Sequence, residues 1–264
     1  MELGAALNYF DTDDKQCYKN QNVMLSFFDV KNLYRFYEHD SEHAFDWLKE
    51  NNINVISVHI PNQCALPGLI KLACGLINKN IKDKLIIMHP PNKHYPLSNV
   101  ELQIINDDLE INNAYLCWEN FSWHRKKWLR SPFEIAELCS KWSRFKMTFD
   151  TSHIDDNDYW LRLETMQFLS KYIKVIHLSN RVLEYKHQRK ISEINKYEGS
   201  DDYGQHLPPT KGELKLESFI KTIKKQLSWD GQIIIEMMPC YDKVIDEQIK
   251  IVSKWINSDA ICHT

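Results

Sequence analysis

The sequence predicts an α/β protein, a closed (β/α)8 barrel of the TIM type, and three observations carry that expectation. Short apolar runs alternate with helical stretches almost to the end of the chain, which implies parallel strands joined by right-handed crossovers. The runs are apolar almost throughout, as strands buried on both faces are. Six of seven runs end in His, Glu or Asp, and a parallel barrel gathers the C-terminal ends of its strands at one face. An open doubly wound sheet competes, but its first turn normally carries a glycine-rich phosphate loop. The chain has seven glycines and no G-x-G-x-x-G.

The elements follow in order. The first run, Leu3 to Tyr9, has no ligand at its end. An irregular polar segment, Asp11 to Gln21, leads to a helical stretch from about Val30 to Glu50. Val55 to Val58 runs into His59, and Ala65 to Asn78 reads as a helix. Lys84 to Met88 runs into His89-Pro90-Pro91, with a weaker helix near Leu97 to Asp108. Tyr115 to Trp118 runs into Glu119. Ser131-Pro132-Phe133-Glu134 opens the next helix, with Ser at the N-cap, Pro at the first position and Glu in the first turn. Phe145 to Phe149 runs into Asp150, with His153 three residues on. Tyr159 to Lys171 is helical, and Lys174 to Ile176 runs into His177. A long connection, Leu178 to about Lys215, is read as a lid or substrate loop. Lys215 to Leu227 is helical, Gln232 to Ile235 runs into Glu236, and Val244 to Ile256 closes the chain. An eighth strand is not readable and is expected to be short or missing.

Length and composition bound the function. The 264 residues fit one barrel domain, and 43% hydrophobic content is too much for a disordered chain. A net charge of -3 argues against a globally basic nucleic-acid binder. Seven cysteines (Cys17, Cys64, Cys74, Cys117, Cys139, Cys240 and Cys262) are odd in number, scattered and free of C-x-x-C pairs. This argues against a disulfide framework or a zinc knuckle and suits a reducing cytoplasm. No signal peptide is read at the N-terminus, and no apolar run reaches the roughly 18 residues of a membrane span.

A lone histidine at a strand end is usually a hydrogen-bonded core residue, so the argument lies in the set. Glu119, Asp150, His177 and Glu236 end four successive runs. Three carboxylates and one imidazole make a hard, mostly oxygen site for Mn, Zn, Co, Fe or Mg. Without a cation, three close carboxylates repel and some protonate. The plainer reading of Asp150-Thr151-Ser152-His153 is a helix N-cap. Trp118, Trp123, His124, Arg125, Lys126 and Lys127 form an aromatic-basic cluster that could stack a sugar or hold a phosphate, or be an exposed loop. Lys211-Gly212-Glu213 could face an anion, or be an ordinary turn before a helix.

The series resembles the xylose-isomerase-like barrel superfamily, over about residues 1 to 257. The most specific pieces are Trp118-Glu119-Asn120, Asp150-Thr151-Ser152-His153, Ile176-His177-Leu178, His206 followed by Lys211-Gly212-Glu213, and Ile235-Glu236. That superfamily holds sugar isomerases and epimerases, inosose-processing enzymes and type IV AP endonucleases. The resemblance implies a shared metal on Glu119, Asp150, His177 and Glu236, with His153 on substrate or a further metal. In the isomerase branch it implies Glu119 and Glu236 as acid and base, with Arg181 or His153 steadying a substrate oxygen.

In the endonuclease branch it implies a three-zinc phosphodiesterase, with added ligands from His59, His89, His153 and His206. That branch places an aspartate two residues before the last histidine, where this chain has Gly204; Asp202 lies four before it. Phe121-Ser122-Trp123-His124 replaces a small, glycine-containing loop, and His177-Leu178-Ser179-Asn180-Arg181 lacks the usual Asp-Ser-Lys continuation. The expectation is a cytoplasmic isomerase or epimerase of a sugar, sugar phosphate or polyol. It has one to three divalent ions, Glu119, Glu236 and His153 as catalytic residues, and Arg181, Trp123 and Lys211 on substrate. Nucleic acid as substrate is not favoured, and no membrane contact is expected. The alternatives are a multinuclear phosphoesterase and a binding protein on a degenerate barrel.

Overall fold

Eight parallel strands close into a barrel in sequence order. The structure, a computed structural model, describes residues 1–8, 15–27, 29–61, 66–81, 83–121, 128–129, 131–154, 158–182 and 205–258. The strands are β1 (Glu2–Asn8), β2 (Asn22–Ser26), β3 (Asn54–Ile60), β4 (Leu85–Met88), β5 (Tyr115–Glu119), β6 (Phe145–Asp150), β7 (Ile173–Leu178) and β8 (Gln232–Ile235). The helices are α1 (Val30–Arg35), α2 (Ser41–Glu50), α3 (Leu66–Asn80), α4 (Asn99–Ile111), α5 (Pro132–Lys141), α6 (Leu163–Leu169), α7 (Leu216–Leu227) and α8 (Ile245–Asn257). Among the described residues, no helix is long and apolar enough to cross a membrane.

The eighth strand expected to be weak or missing is present, and the one that sequence patterning does not reveal is β2. Its five residues pair with β1 on one side and β3 on the other. Asn22-Val-Met-Leu-Ser is too short to declare a period of two against the polar segment before it. Without β2 the barrel would have an open edge between β1 and β3, with unpaired backbone groups on both.

Helix starts follow the chemistry written in the sequence. At α5 the Ser131 hydroxyl accepts from a first-turn N–H and the Glu134 carboxylate accepts from Ser131 N–H, a reciprocal capping box. Ser98 and Glu101 do the same for α4, turning a weak sequence signal into a well-started helix. The stretch from Val30 to Glu50 is α1 and α2 joined by one π-helical turn, Phe36–Asp40. Phe36 is buried there between Phe27 and Phe45, with ring centroids 5.1 and 5.8 Å away.

Two apolar layers result. Met24, Ile56, Leu85, Ile87, Cys117, Val175 and Ile234 fill the barrel interior. A larger cluster, including Val58, Trp118, Phe149 and Ile235, lies between strands and helices. Cys74 and Cys139 are buried on their helices, while Cys64 and Cys262 lie outside the described residues. The plug of apolar side chains gives the strand ends above it a rigid floor.

Gly231 lets β8 close onto β7. A Cβ there would overlap the Trp229 ring and the Lys174 carbonyl, and the Trp229 N–H is held on Ile173 O at 3.0 Å. Gly231→Ala is expected to destabilise the protein by about 1–3 kcal/mol, read as a lower urea midpoint at unchanged slope.

Candidate metal centre

Each of the six strands from β3 to β8 delivers one polar side chain to the mouth of the barrel. His59 lies within β3, Glu119 and Asp150 end β5 and β6, and His177 lies near the end of β7. His89 and Glu236 each follow their strand by one residue. The remaining arc is Asn8 and Ser26, which are paired in the ladder, with Ser26 in turn paired to His59. All eight positions but His89 and Glu236 are buried.

Glu119 is the hub. One carboxylate oxygen, Oε1, lies 3.0 Å from His89 Nε2 and 3.1 Å from His153 Nδ1. The other, Oε2, lies 3.0 Å from His59 Nε2 and 3.2 Å from His177 Nδ1. His177 Nδ1 is also 2.8 Å from Glu236 Oε2. On the far side, His153 Nδ1 is 3.2 Å from Asp150 Oδ2, and His153 Nε2 faces His206 Nε2 at 3.1 Å. His206 sits on a residue with φ 54°, a left-handed turn that aims its ring back at the mouth.

These side chains form three overlapping groups whose ligand atoms lie within 4.8 Å of one another: Glu119, Asp150, His177 and Glu236; His59, His89 and Glu119; and Asp150, His153 and His206. The donor set passes a direct test for a cation. Asp150 Oδ2, Glu236 Oε2, both ring nitrogens of His177 and Nδ1 of His59 are buried without a hydrogen-bond partner. His177 Nδ1 and Glu236 Oε2 are close, yet their geometry is not that of a hydrogen bond. Asp150 divides its labour: Oδ1 accepts from Ser152 N–H, Ser152 O–H and His153 N–H, leaving Oδ2 for the centre. Buried polar atoms left unpaired are costly, and an ion at the mouth would complete those that face it.

Electrostatics describe the metal-free state. Burial opposes the charge on Glu119, but His89, His177 and His153 hold its pKa well below the usual carboxylate range. Burial pushes His89 itself down to about 4 despite Glu119. Burial opposes a positive charge on His153 too, yet Asp150, Glu119 and Glu236 raise His153 to about 9. Glu236 and Glu119 likewise raise His177 well above its ordinary value. Glu236, opposed by burial but beside His177, falls to about 2, while burial raises Asp150.

The other expected site residues fall differently. Arg181 is buried, and its guanidinium donates to the carbonyls of Ser152 and Ile154 beside His153. Lys211 is exposed, with its ammonium 5.4 Å from the centroid of the Tyr241 ring. Trp123, the basic residues after it, Asp202 and Gly204 lie outside the described residues. Sequence reasoning missed Phe121, whose ring packs on His89 and His153, each at 4.7 Å between centroids. Its place two residues after Glu119 was the available signal. Asn120, Thr151 and Ser179, also missed, grip neighbouring ligand segments by hydrogen bonds.

Residues 102–256 match the family described as xylose isomerase-like TIM barrel. No curated protein matches the sequence. Among solved structures, the chain is similar to a D-tagatose 3-epimerase-like protein (16% identity, 97% of both chains, TM-score 0.67). It is also similar to the probable 3-DHS dehydratase of petrobactin synthesis from Bacillus anthracis (15% identity, 96% of this chain and 99% of that one, TM-score 0.65). A third is a 3-keto-D-glucoside 4-epimerase from E. coli (10% identity, 98% and 100%, TM-score 0.63). At these identities the likeness shows the fold.

Metal binding must displace the protons on His153 and His177. Cobalt(II) affinity is therefore expected to rise as pH goes from 6 to 8.5, by about tenfold per unit for each proton released. The metal-free fold behaves oppositely. The His153 proton stabilises it fully below about 6.5, and that stability is lost as pH rises through about 9. Calorimetric titrations in buffers of different ionisation enthalpy count the protons, and urea midpoints of chelated protein read the stability.

Proposed function

Because the chain belongs to the xylose isomerase-like TIM barrel family, we propose that it is a divalent-metal-dependent isomerase or epimerase of a sugar, sugar phosphate or polyol-like small molecule. One observation carries the reading. Glu119 on β5 and Glu236 after β8 approach the same His177 Nδ1, at 3.2 and 2.8 Å, and so flank a single cation position. Proton transfer at a carbon next to a carbonyl needs an acid and a base beside one polarised oxygen pair. Two similar structures, a D-tagatose 3-epimerase-like protein and a 3-keto-D-glucoside 4-epimerase, support the substrate class.

A cation held by Glu119, Asp150, His177 and Glu236 would supply Lewis-acid polarisation of the substrate carbonyl. The chain supplies the rest. In this reading Glu119 and Glu236 act as the acid and base, one taking the proton from carbon and the other returning it, and Glu236 is the more exposed of the two, at 16% of its side chain. His153 holds a substrate oxygen. Arg181 keeps the His153 segment in place through the Ser152 and Ile154 carbonyls. Lys211 and Trp123 remain proposed substrate contacts.

A second reading has its own observation. His59 and His89 occupy both oxygens of Glu119 from the other side, and His206 pairs with His153. A multinuclear centre of that kind, resembling the type IV AP endonucleases, favours hydrolysis of a phosphoester.

Metal content per chain and reaction products separate the readings. One equivalent, with solvent deuterium entering a ketose or aldose followed by NMR, supports isomerisation. Two or three equivalents, with cleavage of a phosphodiester or abasic duplex and no deuterium uptake, replaces it with hydrolysis. Under the first reading Glu236→Gln is expected to lower kcat by about 10²–10⁴-fold, with metal content measured alongside to separate lost chemistry from a lost ion.

A further inference from the structure

The β5–β6 and β6–β7 pairings end at candidate ligand positions, with Glu119 beside Thr148 and Asp150 beside His177. One backbone bond continues each, Asn120 N–H to Thr148 O at 3.3 Å and Thr151 N–H to His177 O at 3.0 Å. Side chains add to them. Asn120, next to Glu119, donates its amide to Asp150 O at 3.0 Å and accepts from Asp150 N–H at 2.8 Å. It thus meets the Asp150 peptide group as another strand would. Its own carbonyl lies 3.2 Å from His153 Nδ1.

Thr151, next to Asp150, repeats the device one strand on. Its N–H donates to His177 O at 3.0 Å. Its hydroxyl donates to Ser179 O at 2.7 Å and accepts from Ser179 N–H at 3.1 Å. Ser179 continues it to the next ligand segment, with Oγ 3.4 Å from His206 Nδ1. Asn120, Thr151 and Ser179 are all buried, so water does not compete for these bonds.

We propose that Asn120, Thr151 and Ser179 are positioning residues that extend the sheet sideways past its strand ends and set the spacing of Glu119, Asp150 and His177 around a bound divalent cation, and of His206 in the adjoining group. The inference rests on the reading that these ligands hold a cation. Glu119, Asp150 and Glu236 repel one another, and the strand ends that carry Glu119 and Asp150 would splay without a lateral tie. The tie must act on the backbone, because the carboxylate oxygens are needed at the centre. All of the Asn120 and Thr151 bonds named above that reach Asp150, His177 and Ser179 end on backbone atoms.

The test uses the full chain and cobalt(II) alone. Thr151→Val keeps the side-chain shape and removes the hydroxyl. It is expected to weaken cobalt binding by about 10–100-fold and to shift the visible d–d bands, which report ligand geometry. Thr151→Ser restores the hydroxyl and is expected to return both affinity and spectrum towards wild type. A merely structural threonine predicts a lower urea midpoint with wild-type affinity and spectrum, and that result overturns the proposal. Should Thr151→Val fail to fold, Asn120→Ala is measured in the same way: weakened binding with shifted bands supports the proposal, and wild-type binding overturns it. A wild-type chain that binds no cobalt overturns the cation reading and this inference together; unaffected variants of a cobalt-binding chain overturn the inference alone.

Discussion

The burial of one carboxylate, Glu119, among four imidazoles is the interaction on which the mouth of this barrel is built. A carboxylate with no exposure has lost its water, and that loss is tolerable only where donors or cations surround it. His59, His89, His153 and His177 surround it from β3, the β4 end, the β6 end and β7. No pair of adjacent strands brings all four together. Only closure of the sheet places β3 and β7 on opposite sides of β5 at hydrogen-bond range. The closed barrel and the ligand cluster are therefore one constraint seen at two scales.

That constraint explains how legible the protein was. The six His, Glu and Asp side chains at strand ends could be read because a strand end in a parallel barrel has a fixed direction. β2 could not, because five residues ending in Ser26 carry neither a ligand nor a clear alternation. The clamps were present as letters in Trp118-Glu119-Asn120 and Asp150-Thr151-Ser152-His153. Their role depends on which strand lies beside which, and that is known only once the sheet is ordered. Arg181 shows the converse. Its position after the β7 ligand suggested a substrate contact, and the structure turns its guanidinium onto the carbonyls of the His153 segment. A cation near a mouth has two employments, and sequence spacing does not choose between them.

Division of labour within single residues follows from the same crowding. Asp150 spends one oxygen on its own loop and keeps the other for the centre. Asn120 spends its side chain on one neighbour and its carbonyl on another. A substitution at Asp150 removes both of its functions, whereas one at Asn120 removes the side-chain contact and leaves the backbone carbonyl in place. The Asn8–Ser26 arc is different. It is small and polar, and both of its residues are buried.

The three ligand groups also differ in hardness. Glu119, Asp150, His177 and Glu236 offer three oxygens and one nitrogen, whereas each flanking group offers two imidazoles and one carboxylate. Oxygen-rich sets suit magnesium and manganese, and nitrogen-rich sets suit zinc, cobalt and iron. A cation entering the mouth therefore meets a graded set of donors, hard at the centre and softer at both sides. Glu119 belongs to the first two groups and Asp150 to the first and third, so these two carboxylates join the three groups into one continuous cluster.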